Sequence, residues 1–243
     1  MRNPLILLPG WGLGSAPLQP LAVALQGLNP HREIRVEALP ELVSSAPADW
    51  LAELDARLPQ DCWLGGWSLG GMLAAELAAQ RGERCRGLLT LASNACFVAR
   101  SDWPAAMPQS TFDTFRAACA EDGEATLKRF GLLCAQGSGE PRALGRLLFG
   151  GAPVASSERL LAGLDLLAAL DTRSALQRFS GPQLHLFAGA DALVPAAAAG
   201  ELQSLLGDVE TGLLEASSHA FALERPHEVA AAIQAFLHEV GDD

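Results

Sequence analysis

Gly66-Trp67-Ser68-Leu69-Gly70, with Gly71 directly behind it, is the stretch whose reading decides the fold. An apolar run at 62–66 leads into it and an Ala-rich run at 69–81 follows, which reads as strand, sharp turn, helix. A serine at such a turn stands clear of its neighbours only if the flanking positions lack side chains, and glycine meets that demand. The pattern therefore points to an exposed nucleophilic hydroxyl at the end of a buried strand, not to an ordinary glycine-rich turn.

Working outward, the same alternation recurs. Strands are expected at 4–8, 34–39, 62–66, 87–92, 183–188 and 210–214, and helices at 17–27, 48–58, 69–81, 196–206 and 227–240. Alternating strands and helices imply a mostly parallel sheet covered on both faces. The alternation stops between 97 and 179, where four helices are expected at 109–121, 124–135, 140–148 and 156–169. The expected organisation is thus an α/β core of residues 1–96 and 180–243, with residues 97–179 inserted as a helical cap over the open edge of the sheet.

A serine hydroxyl is weakly nucleophilic until a base takes its proton. Of five histidines, His219 lies in Ser217-Ser218-His219-Ala220-Phe221, between the last expected strand and the last helix, where a base would reach a nucleophile at the strand ends. The orienting acid should follow the preceding strand, giving the chain order serine, acid, histidine. Asp191 in Gly189-Ala190-Asp191-Ala192-Leu193 meets this, whereas Asp165 and Asp171 fall in the cap and Asp208 precedes the wrong strand. The tetrahedral intermediate of acyl transfer also needs N–H donors. The backbone of Leu69 and that of Trp11, in the Pro9-Gly10-Trp11-Gly12 turn after the first strand, are the candidates.

Composition narrows the partners. The chain has 243 residues and a formal charge of −11, which argues against nucleic acid or an anionic membrane, because both require a positive field. No run approaches the roughly 18 apolar residues of a membrane span. The apolar start at 5–8 is too short for a signal peptide. Five cysteines (62, 85, 96, 119 and 134) with no CxxC pair fit buried thiols in a reducing cytoplasm rather than a disulfide framework or zinc site. No HExxH or comparable metal-ligand spacing occurs, and no metal or cofactor is expected. The cap is electrically neutral, so the rest of the chain carries the whole negative charge. Yet residues 125–160 hold Lys128, Arg129, Arg142, Arg146 and Arg159 against only Glu140 and Glu158.

Four segments together resemble the biotin-synthesis carboxylesterases, the pimeloyl-[acyl-carrier protein] methyl ester esterases of the α/β-hydrolase superfamily. They are Pro-Gly-Trp-Gly-Leu-Gly at 9–14, Gly-Gly-Trp-Ser-Leu-Gly-Gly at 65–71, Leu-Ala-Ser-Asn-Ala-Cys-Phe at 91–97 and Ala-Asp-Ala-Leu-Val-Pro at 190–195. The chain departs from many members at Pro9, where they carry histidine; the Gly-Trp backbone is kept. The resemblance implies an α/β-hydrolase fold and hydrolysis of a pimeloyl methyl ester on acyl carrier protein. It matches Ser68, Asp191 and His219 to the triad and Trp11 and Leu69 to oxyanion and substrate positions. It also matches Phe130, Gly131, Leu132, Leu133 and Cys134 to the cap segment lining the acyl pocket. Because acyl carrier protein is strongly acidic, Arg129, Arg142 and Arg146 are the expected contacts. A monomer is the working expectation. A general short-chain carboxylesterase and a non-catalytic ligand-binding member of the same fold are the two alternatives.

Overall fold

A computed structural model of the chain describes residues 3–242. Six strands, β1 (Leu5–Leu8), β2 (Ile34–Val36), β3 (Cys62–Trp67), β4 (Cys85–Leu91), β5 (Gln183–Ala188) and β6 (Glu210–Leu214), form one sheet in the order β2-β1-β3-β4-β5-β6. Every pairing is parallel. All residues of β1 and β3 are buried, as continuous apolar runs in a sheet covered on both faces should be.

The helices are α1 (Gln19–Leu28), α2 (Pro47–Arg57), α3 (Leu69–Arg81), α4 (Gln109–Glu121), α5 (Gly123–Ala135), α6 (Pro141–Gly150), α7 (Ser157–Ala169), α8 (Arg173–Arg178), α9 (Ala198–Leu206), α10 (Phe221–Glu224) and α11 (Pro226–Glu239). Helix α3 packs against β1, β3, β4, α2 and α8, so it is buried on nearly all sides, and its Ala-rich sequence supplies the small side chains that such close packing needs. Asp122 caps α5 by accepting the Ala125 N–H at 2.9 Å, and Ser156 caps α7, each satisfying one of the N–H groups a helix start leaves open. None of the described helices is long and apolar enough to cross a membrane.

Two of the differences from the sequence expectation bear on the site and its surroundings. Strand β2 ends at Val36 instead of 39, because its partner β1 ends at Leu8 and the last ladder bond runs from Glu37 N–H to Leu7 O. The chain at 38–42 is thereby freed to line a cleft. The segment between β4 and β5 carries α4 to α8. Its last helix, α8, is absent from the sequence reading, and it packs on α3 and α9 beside the sheet. Arg173 anchors this return to the core through ion pairs to Asp171 and Asp102 and by lying over the Trp103 ring. The Arg173 guanidinium holds the Asp171 carboxyl down at about 2.

Candidate active site

Parallel strands deliver their carboxyl ends to one edge, and four loops converge there: Pro9–Gly12 after β1, Ser68 after β3, Asp191 after β5 and His219 after β6. The connection leaving β1 runs to β2 on one side and that leaving β3 runs to β4 on the other, which opens a crevice at the β1/β3 ends, the usual ligand position of such sheets.

Ser68 is held at φ +54°, ψ −120°, a conformation that costs a non-glycine residue on the order of 1–3 kcal/mol and survives only when its surroundings enforce it. Here they do. Its N–H donates to Leu91 O at 2.9 Å, and its carbonyl accepts from the Ser93 hydroxyl at 2.9 Å and the Gly71 N–H at 3.0 Å. A Cβ at Gly66 would lie 2.2 Å from the Gly70 carbonyl carbon, and one at Gly70 would lie 2.3 Å from Leu8 O. Both glycines are therefore sterically required, which is the physical content of the GxSxG spacing.

Asp191 and His219 meet at 2.7 Å between Oδ2 and Nδ1, with both side chains fully buried. The second oxygen, Oδ1, accepts the N–H groups of Leu193 (2.8 Å) and Val194 (3.0 Å), which fixes the rotation of the carboxylate. A carboxylate on Nδ1 selects the tautomer with its proton there and leaves the lone pair on Nε2. That Nε2 is buried and makes no hydrogen bond to the described residues. It is not bonded to the Ser68 hydroxyl, a contact that commonly tightens only with substrate in place.

Three holders of the histidine were not legible in the sequence. The Trp67 indole N–H donates to the His219 carbonyl at 2.8 Å, with the two rings 5.5 Å apart. The Glu224 carboxylate takes both the N–H (3.1 Å) and the hydroxyl (2.8 Å) of Ser218. Ala220 N–H donates to the Cys134 carbonyl at 3.2 Å. Trp67 stood inside the quoted motif, but nothing in the sequence says where its ring reaches.

The backbone N–H groups of Trp11 and Leu69 have no carbonyl partner among the described residues, as donors awaiting an oxyanion require. The Trp11 side chain is anchored by its own N–H to Leu160 O in α7 at 2.9 Å, and its ring meets Phe130 edge-on at 4.9 Å. Two cavities flank these groups. A cleft of about 280 Å³ is walled by Trp11, Leu69, residues 38–42 and residues 153–155. A smaller one of about 40 Å³ is lined by Phe97, Phe115, Phe130, Leu133 and Leu193, among other uncharged residues.

The segment 130–134 is divided by the helix. Phe130 and Leu133 reach the small cavity, Gly131 packs beside the Gly145 carbonyl, and Cys134 is fully buried, its thiol pushed up by desolvation and by the Asp191 carboxylate. Leu132 points the other way, 46% exposed. Lys128, Arg129, Arg142 and Arg146 are all exposed on α5 and α6, and none of them forms an ion pair with a described residue. His185, by contrast, lies inside β5 against the Thr90 hydroxyl, away from this edge. No three described His, Cys, Asp or Glu side chains cluster closely enough to hold a metal ion.

A strained serine at a strand–helix elbow, at the same end of a parallel sheet as a carboxylate-bound imidazole, is the layout of a hydrolase that works through a serine nucleophile. Comparison with known proteins agrees. The profile of the Alpha/beta hydrolase family matches residues 5–232. A Pimeloyl-[acyl-carrier protein] methyl ester esterase of Aeromonas salmonicida is 35% identical over 244 residues, covering 96% of this chain and 94% of that protein. A Biotin biosynthesis bifunctional protein BioHC of Cellvibrio japonicus is 39% identical over 238 residues, covering 97% of this chain and 47% of that protein. This chain therefore spans about half of the bifunctional relative and nearly all of the Aeromonas esterase. Among solved structures, a bromoperoxidase from Bacillus anthracis superposes with a TM-score of 0.84 at 19% identity, over 98% of this chain and 92% of that one. An esterase from Exiguobacterium antarcticum gives 0.83 at 17%, over 97% and 92%. At such identities these two speak for the fold alone. The chain belongs to the alpha/beta hydrolase family and, within it, to the family of the pimeloyl-[acyl-carrier protein] methyl ester esterases, and it is a hydrolase.

Proposed function

We propose that the protein hydrolyses the methyl ester of a pimeloyl chain carried on acyl carrier protein, giving methanol and the free ω-carboxylate, in the reducing cytoplasm that suits five free thiols. The chemistry rests on one observation: the Asp191–His219 pair, with Nε2 open, sits at the same sheet edge as the Ser68 elbow. His219 takes the Ser68 proton as the hydroxyl oxygen attacks the ester carbonyl. The N–H groups of Trp11 and Leu69 receive the oxyanion, and Asp191 stabilises the imidazolium. His219 then protonates the departing methoxide. Water, deprotonated by His219, attacks the acyl-enzyme and returns Ser68 to its hydroxyl form.

The difference in size supports a place for each end of the ester. Against the expectation that residues 130–134 line the acyl pocket, the small apolar cavity beside Phe130, Leu133 and Leu193 has room for only a few heavy atoms and takes the methyl side. The larger cleft beside Trp11 and Leu69 takes the chain that leads out to the carrier. Helices α4 to α7 cap the site, and the unpaired cations of α5 and α6 receive the acidic carrier. The likeness to the Aeromonas esterase supports the choice of substrate.

The test is methanol release from pimeloyl-carrier-protein methyl ester by the wild type and Ser68→Ala. Turnover is expected in the first and a loss of at least about 10³-fold in the second. Turnover of short soluble esters alone would leave a general carboxylesterase. Silence on both would leave a binding protein.

A further inference from the structure

The end of α5 touches both members of the acid–base pair within one residue of each. Its Cys134 carbonyl accepts the N–H of Ala220, the residue after His219, at 3.2 Å. Three residues on, Gly137 at φ +96° brings the turn against Ala190, the residue before Asp191. A Cβ on Gly137 would stand 2.1 Å from the Ala190 carbonyl oxygen and 2.7 Å from its Cβ. Contact this close admits only glycine. The two loops are further joined to each other by Ala190 N–H donating to Ser217 O at 3.0 Å. Acid loop, base loop and helix end thus form a closed ring of contacts around the 2.7 Å Asp191–His219 bond.

We infer that the turn following α5 is a positioning device for the acid–base pair, with Gly137 as its positioning residue. The inference rests on the roles proposed above for Asp191 and His219. Helix α5 then does three things at once. Its outer face carries Lys128 and Arg129, its inner face puts Phe130 and Leu133 into the small cavity, and its last turn sets the separation of carboxylate and imidazole. A side chain at Gly137 has to push the Ala190 peptide away, and the displacement reaches Asp191 through a single residue.

A control lies in the same turn: a Cβ at Gly139 would meet nothing within 4 Å. Gly137→Ala, Gly139→Ala and Ala190→Gly are compared on p-nitrophenyl acetate, with the NMR signal of the His219 Nδ1 proton as a second reading. Gly137→Ala is expected to lower kcat by about 10- to 100-fold, the effect of a displacement of up to an ångström, with KM within about 2-fold and the Nδ1 proton signal shifted upfield or lost. Gly139→Ala should match the wild type in both. Ala190→Gly removes the facing methyl without a clash, so it folds even if Gly137→Ala does not, and it should show a smaller loss of kcat and a smaller shift. Unchanged kcat and unchanged proton signal in folded Gly137→Ala, or in Ala190→Gly should Gly137→Ala fail to fold, would overturn the inference. Asp191→Asn run in parallel separates the two claims. If it keeps full kcat, the roles of the pair are wrong; if it loses kcat while the turn variants do not, only the positioning device is.

Discussion

At Asp191 the two carboxylate oxygens have different work. Oδ1 is taken by the backbone N–H groups of Leu193 and Val194, and only Oδ2 faces the imidazole. In Asp191→Asn the amide oxygen must remain on those two N–H groups, which turns its NH₂ toward Nδ1. The imidazole then has to accept at Nδ1 and carry its proton on Nε2, where it can no longer act as a base. A loss of kcat of roughly 10⁴-fold is expected, with thermal unfolding close to wild type; retained activity would remove Asp191 from the mechanism. The placing of Ser68, Asp191 and His219 after β3, β5 and β6 was readable, because each strand of a parallel sheet ends at the same edge. The holders of His219 were not readable. The Trp67 indole finds its acceptor 152 residues away, and no local pattern encodes a contact of that range.

Among the elements, β5 and β6, α3 and α4 have the bounds that their residue pattern predicts; β5 and α3 are buried along most of their length, whereas β6 and α4 bury only one and two residues. The helices that escaped, α8 and α10, are six and four residues long, too short for a 3.6-residue period to declare itself. Strand β5 also carries His185, a buried histidine whose titration burial lowers to about 3. Between about pH 6.5 and pH 3 the unfolded chain binds a proton there that the folded chain refuses. This contribution to stability is therefore complete above about pH 6.5 and declines as the pH falls through that window. Urea unfolding should show a loss from this group of about 2 to 3 kcal/mol at pH 4.5 relative to pH 7. His185→Gln, which can keep a hydrogen bond to Thr90, should flatten that part of the slope. Equal slopes in the two proteins would mean that His185 is charged or reached by water in the fold.

Over the whole molecule the charge is −11, yet α5 and α6 present Lys128, Arg129, Arg142 and Arg146 without an ion-pair partner among the described residues. Exposed cations left unpaired on an acidic protein give an acidic partner a face to approach, while the acidic remainder repels it elsewhere. Neutralising Arg129, Arg142 and Arg146 together is expected to raise KM for the carrier-bound ester by roughly 10-fold at low salt. The difference should shrink as salt screens it, and turnover of a small soluble ester should be spared. Equal losses on both substrates would assign these arginines to the fold and not to the partner.

The walls of the two cavities have a consequence for what happens after the chemistry. Among the described residues the small cavity is lined by no charged group, and the cleft has only Glu41 and Arg159, which are already bound to each other. An ester is neutral and loses little on entering such walls. The acid it becomes is an anion at the N–H groups of Trp11 and Leu69, and the cavity walls beyond them hold no free cation among the described residues to repay its lost hydration. On the function proposed above, hydrolysis replaces a neutral ligand by an anion that these walls do not compensate, so weak inhibition by the free acid is expected when it is added to the ester assay.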